Sequence, residues 1–240
     1  METIINLFLL CILIICAWSG YKKGLIMGVG GILAIIVSLY GANLLASTFS
    51  YDLIPVMRPF ANGYMESRLD ADDGVMEKMG WSDTGYSLDD LLDKNPDSAE
   101  KFFSVCYRDL GIDGDVSDAM AGAAQDYMEE TDADAMRSVV QVLCEKVSYV
   151  GCFLLAFLLI IIILTVIGNL PNLSFKIPNM DIFNDICGIL LGVATGAAFC
   201  MIAVWFLRFA GIIIGRDTLS NGILSSFFME KNLLVQYLGF

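Results

Sequence analysis

The stretch ICGILLGVATGAAFCMIAVWFL, from Ile186 to Leu207, decides the fold because none of its 22 residues carries a charge. At about 1.5 Å of rise per residue, a helix of this length spans roughly 33 Å, enough to cross the hydrocarbon core of a bilayer. Within it, Gly188, Gly192 and Gly196 recur at every fourth position and so lie near one helix face. In hydrocarbon, small residues at this spacing let another backbone approach closely. The stretch therefore predicts a membrane helix with a docking face.

The composition of the whole chain agrees with a membrane protein. Of its 240 residues, 57% are hydrophobic, which is too apolar for an ordinary soluble protein of this size. The net charge of −13 is concentrated between Thr48 and Lys146, where 22 Asp and Glu face 8 Lys and Arg. Nucleic acids and anionic lipid headgroups both require clustered cations, so this acidic stretch argues against either as a partner.

Histidine is absent, whereas there are seven cysteines. The absence of histidine excludes Ser-His and Cys-His nucleophilic pairs and the usual histidine metal sites. Five cysteines lie in apolar runs, where cysteine usually acts as a small hydrophobe. Only Cys106 and Cys144 lie in the polar stretch, and a disulfide between them is an open alternative if that stretch faces an oxidising compartment. The sequence indicates no catalytic residue, no cofactor and no metal ligand.

The N-terminal part of the chain predicts a hairpin of two membrane helices. Ile4 to Trp18 is apolar, and an acidic Glu2 in place of a basic segment favours a retained helix over a cleaved signal peptide. A basic turn, Gly20 to Gly24, separates this run from Leu25 to Leu45, the second candidate. The small residues Gly20, Gly24 and Gly28 are candidates for helix packing, and they either support close packing within the chain or form a face for self-association.

Between Thr48 and Lys146 the sequence predicts a small helical lobe. Helix signals recur and strand patterns are absent. The predicted N-terminal caps are Ser87 before Leu88, Ser98 before Ala99, Asp115 or Ser117 for a helix reaching Glu130, and Thr131 for a helix that continues into the membrane.

An acidic cluster in the lobe resembles a calcium loop only superficially. It comprises Asp109, Asp113, Asp115 and Asp118. Starting an EF-hand register at Asp113 puts Asp118 where glycine is needed and Ala124 where the bidentate glutamate is needed. A solvated acidic face is the better interpretation.

The C-terminal half predicts a second membrane hairpin and a tail. Val147 to Leu170 is the third membrane segment, and a loop with Pro171, Lys176 and Pro178 leads to the fourth, with Asn184 or Asp185 as its cap. Arg208 then snorkels to the interface. Residues 208–240 form a tail in which Leu219, Ile223, Phe227 and Phe228 share one face, so it lies on the bilayer or packs against the lobe.

Together these patterns predict an all-α membrane protein with four transmembrane helices and an acidic helical lobe between helices 2 and 3. The predicted regions are residues 1–47, 48–146, 147–207 and 208–240. Because positive residues favour the cytoplasm, Lys22 and Lys23 place the first turn there and the lobe on the other side.

Two stretches resemble the colicin V production protein family of bacterial inner-membrane proteins. From Asn6 to Gly41 the chain resembles that family's opening hairpin, chiefly through WSGYKKGLIMGVGGILAIIVSLYG (Trp18–Gly41), and IPNMDIFNDICGILLGVATGAA, from Ile177, resembles its proline loop and repeated glycines. Asn6 stands where the family often has aspartate, and Asp185 stands where a basic residue is frequent. The resemblance implies an inner-membrane protein with a role in toxin production or export and in envelope homeostasis.

Three functions follow from these patterns. The first is a non-enzymatic membrane protein that assembles with itself or with other membrane proteins through its glycine faces, which include Gly188, Gly192 and Gly196. The second is a transporter or channel subunit for a small solute, although the helix cores contain no ionisable group of the kind that pumps place there. The third is an enzyme, which the absence of a nucleophile elbow, a phosphate loop and metal-ligand spacing disfavours.

Overall fold

A computed structural model of the chain describes residues 2–69, 71, 74–81, 86, 88–95, 98–169, 181–209, 222–232 and 235. The helices in this part of the chain are α1 (Glu2–Leu69), α2 (Val75–Met79), α3 (Leu88–Lys94), α4 (Ala99–Asp109), α5 (Gly114–Thr131), α6 (Ala135–Asn169), α7 (Asp181–Leu207) and α8 (Ile223–Glu230). The described residues contain no strand, which confirms the all-α prediction. Of these helices α1, α6 and α7 are long and apolar enough to cross a membrane.

Contacts between residues divide the chain into two compact units. Unit 1 comprises Met1–Ala46, Cys152–Leu207 and Asp217–Gly239, and unit 2 comprises Ser47–Gly151, Arg208–Arg216 and Phe240. Helices α1 and α6 therefore contribute residues to both units. The division within α1 falls beside position 48, where the composition changes from apolar to acidic.

In unit 1 the first part of α1 runs antiparallel to α7. Cys16 lies against Gly192, and Gly20, four residues later, lies against Gly188, four residues earlier. Because the contacting residue numbers increase along α1 while they decrease along α7, the two helices run in opposite directions. The glycines of the two helices therefore face each other over a close approach of the two backbones.

The direction of α1 reverses at Gly24. This residue has φ 74° and ψ −173°, which are not helical angles, although the residues on both sides of it are helical. Beyond it Gly28 lies against Leu191 and Gly31 faces Thr195, so the second part of α1 runs parallel to α7. A side chain with a Cβ rarely adopts a φ of this sign, whereas glycine does so at little cost. One residue thus makes the turn that the sequence predicted over Gly20 to Gly24.

Unit 2 has a buried apolar core built by α4 and α5 with parts of α1 and α6. Phe102, Phe103 and Tyr107 of α4 are fully buried in it. The buried Tyr107 hydroxyl donates a hydrogen bond of 3.1 Å to the backbone carbonyl of Val139 in α6. Trp81 stacks on Phe102, with their ring centroids 6.1 Å apart. The stretch between residues 48 and 146 is polar and acidic overall, but the apolar residues of α4 recur at helical spacing and form part of one buried core.

Helix α1 does not end where the acidic stretch begins. It continues through Pro55 and Pro59 to Leu69. Each proline removes one backbone donor from the helix. Both prolines and Tyr51, one of the residues whose carbonyl loses its partner, are exposed, so water can solvate the freed carbonyls.

Several predicted helix starts are wrong by a few residues. The N-cap of α5 is Asp113, not Asp115 or Ser117. Thr131 ends α5, and the cap of α6 is Asp134, whose carboxylate accepts a 2.9 Å hydrogen bond from the Arg137 backbone N–H. The predicted cap Ser87, the loop residues Pro171, Lys176 and Pro178, and the tail residues Leu219, Ser220 and Asn221 lie outside the described residues.

Candidate functional site: a cavity beside the glycine contacts of unit 1

All six glycines singled out in the sequence lie in the contact between α1 and α7. A Cβ added to Gly20 would overlap the carbonyl oxygen of Gly188 and lie 2.8 Å from the Cα of Gly192. A Cβ added to Gly192 would overlap the carbonyl oxygen of Cys16. Backbone atoms cannot swing aside as side chains do, so these positions admit only glycine at the observed helix separation.

Gly196 extends this contact along α7, and Gly28 makes a similar close contact from the second part of α1. A Cβ on Gly196 would lie 3.0 Å from the Cβ of Cys16, and one on Gly28 would lie 2.9 Å from the Cβ of Leu191. The glycine faces therefore pack against each other within one chain. Spacing alone predicted small faces that dock, but it did not indicate which helix each face meets.

Asn184 holds the break in α1. The side chain is almost fully buried, and its Oδ1 accepts a 3.0 Å hydrogen bond from the backbone N–H of Leu25, the first residue after Gly24. An N-terminal N–H of a helix has no partner in its own helix, so this amide caps the second part of α1 from outside. The predicted role of Asn184 as the cap of its own helix is wrong, because α7 begins at Asp181.

The two lysines of the turn have different surroundings. The Lys22 ammonium lies over the exposed Trp18 ring, 5.3 Å from its centroid, in a cation–π contact. Lys23 lines a cavity in unit 1 instead. From the sequence, both lysines are interpreted only as signals of membrane topology, because nothing in their spacing indicates that their surroundings differ.

The cavity has a volume of about 220 Å³, is partly open, and is bounded by the two parts of α1 together with α6 and α7. Its polar lining comes from Cys16, Ser19, Lys23, Thr165 and Thr195. The Thr195 hydroxyl donates to the carbonyl of Leu191 at 2.9 Å, so its oxygen lone pairs remain available to accept. The apolar lining includes Met27, Ile35, Ile161 and Phe199, and the glycines Gly20, Gly28, Gly31 and Gly192 complete the wall.

The residues of unit 1 that flank the glycine contacts hold the tail helix. Asn6 accepts two 3.2 Å hydrogen bonds through Oδ1, from the backbone N–H groups of Leu224 and Ser225 at the start of α8. Asn232 donates a 3.0 Å hydrogen bond to the carbonyl of Met201 in α7. Both asparagines belong to unit 1, so α8 packs on that unit, whereas Arg208 and Phe209 at the beginning of the tail contact the lobe.

In unit 2 the acidic cluster is neutralised by neighbouring cations. Asp109 is paired with Arg68 at 2.6 Å and with Lys78, and its side chain is only 1% exposed. Burial alone would raise the pKa of Asp109, but the hydrogen bonds from these two cations outweigh it and hold that pKa below its ordinary value.

The other members of the cluster are paired as well. Arg208 lies 2.7 Å from Asp113 and 3.6 Å from Asp115, and its own side chain is buried. The prediction that Arg208 snorkels to the lipid interface is therefore wrong. Arg108 pairs with Asp118 at 2.7 Å in a solvent-exposed pair. Among the described residues no group of three acidic, cysteine or histidine side chains is placed to hold a metal ion.

Neither Cys106 nor Cys144 forms a disulfide, and both thiols are free and buried. Desolvation by burial, reinforced by the charge of Asp109, raises the pKa of Cys106 far above its ordinary value. A thiol that stays protonated at neutral pH is a poor nucleophile. The alternative of a Cys106–Cys144 disulfide is therefore wrong for this structure, and Cys106 acts as a core residue.

The fold and the cavity define an all-helical protein whose long apolar helices suit a membrane. No family model matches the chain, and neither the curated proteins nor the solved structures contain a match.

Proposed function

We propose that this chain is a non-enzymatic integral membrane protein of the bacterial inner membrane that crosses the bilayer four times and acts by assembling with a second copy of itself. The role follows the resemblance to the colicin V production family, namely toxin production or export and envelope homeostasis. The reversal of α1 at Gly24 supports four crossings, because it separates two charge-free segments of membrane length.

The glycine faces are not the surface that we propose for assembly. They are occupied by each other within unit 1, so a partner would have to displace an existing contact. Substitution of Gly192 would therefore disturb the fold of the chain before it disturbed any assembly.

The observation that carries the assembly proposal is a stripe of large exposed apolar side chains on the part of α1 in unit 2. The stripe comprises Phe49, Leu53, Val56, Phe60 and Tyr64, each between 41% and 77% exposed. Their spacing of three or four residues puts them along one helix face. Residues 25–45 already cover about 31 Å of membrane, so most of the stripe extends beyond the hydrocarbon core.

Contiguous apolar side chains outside the hydrocarbon core mark a protein contact. A seam on a single helix suits pairing with an identical seam, and two-fold dimers are the commonest oligomers. The occupant that we propose is therefore the same stripe of a second chain.

Cysteine crosslinking in native membranes tests this proposal. Phe60→Cys places a thiol on the stripe, and Asn62→Cys places one on an exposed position about 160° around the same helix. A short bis-maleimide is expected to give a dimer with the Phe60 variant and only the wild-type background with the Asn62 variant. Equal crosslinking of the two variants, or none with the Phe60 variant, would contradict the proposal.

A second function, passage of a small solute, is favoured by the cavity in unit 1, which contains a lysine and two threonine hydroxyls. Flux of a small anion into liposomes that contain the purified protein, lost in the Lys23→Gln variant and kept in the Lys22→Gln variant, would support this function over assembly alone.

A further inference from the structure

We infer that the cavity of unit 1 is a binding site for a small amphipathic anion, a carboxylate or phosphate group attached to a short apolar portion, with Lys23 as the residue that recognises the charge. The inference is independent of the assembly stripe, which lies in unit 2.

The first argument is the charge of the cavity lining. Lys23 is its one charged member among the described residues, and none of the described residues that line it is acidic. No ion pair joins Lys23 to any described residue, whereas the neighbouring Lys22 rests on an aromatic ring. Lys23 is itself exposed, but a cation beside low-dielectric walls attracts anions more strongly than one surrounded by water.

The second argument is the distribution of the polar groups. Ser19 lies one helical turn from Lys23 on α1, so the two side chains share a helix face. Thr165 and Thr195 reach the cavity from α6 and α7. The Ser19 and Thr165 hydroxyls can donate hydrogen bonds to the further oxygens of a carboxylate or phosphate, which offer more acceptor sites than one lysine can satisfy, whereas the Thr195 proton is already donated to the Leu191 carbonyl.

The third argument is the apolar remainder of the lining and the size of the cavity. Met27, Ile35, Ile161 and Phe199 provide a surface that a fully hydrated inorganic ion would not use. Sites that bind small molecules combine such walls with a few placed polar groups, and a volume of about 220 Å³ lies below the range typical of drug-sized ligands. The ligand is therefore small, with one charged end and one apolar end.

The half-buried thiol of Cys16 lines the cavity, so its reactivity can report whether the cavity is occupied. The test measures the rate at which a neutral maleimide modifies Cys16 in the full chain, with peptide mass spectrometry to separate this thiol from the others. Cys152, which is also half-buried but does not line the cavity, serves as the internal control. Lys22→Gln is the matched variant for Lys23→Gln, since it removes the same charge at the next position.

Two sources of the anion are compared. In phosphatidylcholine vesicles the probe is butyrate or inorganic phosphate added to the buffer, and in a second arm phosphatidylglycerol is added to the vesicles with no anion in the buffer. Comparing rates with and without the anion within each variant cancels any effect of the lysine on the reactivity of the thiol.

We expect the anion to slow modification of Cys16 but not of Cys152, in the wild type and in Lys22→Gln. In Lys23→Gln the anion concentration needed for the same protection should rise about tenfold, the effect of losing one charged hydrogen bond. Protection by butyrate over phosphate supports the apolar half of the inference, and protection by phosphatidylglycerol alone assigns the site to a lipid headgroup. Equal protection in both lysine variants, or none in either arm, would overturn the inference.

Discussion

At the scale of single residues, glycines with similar backbones differ in what they face. Gly192 sits against the Cys16 carbonyl, and Gly30 in the same unit has nothing within 4 Å of an added Cβ. The sequence identified Gly192 through its four-residue spacing. The spacing of glycines does not predict how strongly a substitution at each would destabilise the fold. The free-energy cost of an added methyl group depends on the residue that it would contact, and that residue belongs to a distant part of the chain.

Substitution of these two glycines by alanine should therefore destabilise the protein at Gly192 but not at Gly30. Gly192→Ala is expected to lower the free energy of unfolding by about 1–3 kcal/mol, because the methyl group meets backbone that cannot move aside. Gly30→Ala should leave it unchanged or raise it by about 0.5–1 kcal/mol, since alanine is the better helix former. Thermal unfolding of both variants in the same detergent measures the difference, and equal shifts would show that α1 and α7 do not approach as described.

The ion pairs of Asp109 predict a pH dependence of unit 2. The folded-state pKa of Asp109 lies below its ordinary value of 3.8, so the carboxylate stabilises the fold at pH values above 3.8. That contribution is lost as the pH falls through the folded-state pKa. The stability of unit 2 should therefore be insensitive to this group between pH 6 and pH 7, values about two units or more above any relevant pKa.

Asp109→Asn should destabilise unit 2 by about 1–2 kcal/mol at pH 7, less than a fully buried pair would cost, because Arg68 and Lys78 remain partly exposed. Asp118→Asn, which breaks the exposed pair with Arg108, should cost less than about 1 kcal/mol. Hydrogen exchange of the α4 amides in the full chain reports both changes. The gap between wild type and Asp109→Asn should narrow only as the pH falls below 3.8 and through the lower folded-state pKa, and a gap that narrows at higher pH would contradict the charge-based account.

At the scale of elements, the sequence located the apolar segments better than it located their ends. The charge-free runs from residue 25 and from residue 186 lie inside α1 and α7, because a membrane-length apolar run has few alternatives to a helix. The ends depend on contacts that a local pattern does not contain. Asn184 caps Leu25 across 159 positions, and Arg208 pairs with Asp113 across 95.

Asn184 is the contact most directly linked to the reversal in α1. Asn184→Ala should leave the Leu25 N–H without its partner and cost about 1–2 kcal/mol, the usual effect of losing a cap. Asn184→Asp keeps an acceptor oxygen beside a helix N-terminus and should retain part of the stability.

Hydrogen exchange over residues 25–28 measures the local effect of these variants. Faster exchange is expected in the alanine variant, with the aspartate variant between it and the wild type. Exchange equal to that of the wild type in the alanine variant would mean that the hydrogen bond does not hold the turn.

At the scale of the whole molecule, the cavity could not have been predicted from the sequence. Its lining comes from four separated segments, around residues 16–20, 23–35, 161–165 and 192–199. Most residues of each segment are apolar or small, a composition that suits lipid contact, helix packing and a cavity wall equally well. Lys23 and Thr195 line the same cavity only because α1 reverses its direction at Gly24.

The same reversal makes a prediction about topology. If the two parts of α1 cross the membrane separately, Lys22 and Asn62 lie on opposite sides, with Lys22 in the cytoplasm according to the distribution of positive charge. A membrane-impermeant maleimide added to spheroplasts should then label Asn62→Cys at once, and Lys22→Cys only after permeabilisation. Both positions are exposed and neither lines the cavity, so access depends on the side of the membrane.

The two possible failures of this topology have different meanings. Labelling of Lys22→Cys alone in intact spheroplasts would keep four crossings but reverse their direction, placing the acidic stretch in the cytoplasm. Labelling of both variants to the same extent would show that the second part of α1, which separates the two positions, does not cross the membrane. The contacts of Gly28 and Gly31 with α7 would then have to form without a crossing beside that helix, which the length of α7 makes difficult, since its 27 residues cover about 40 Å.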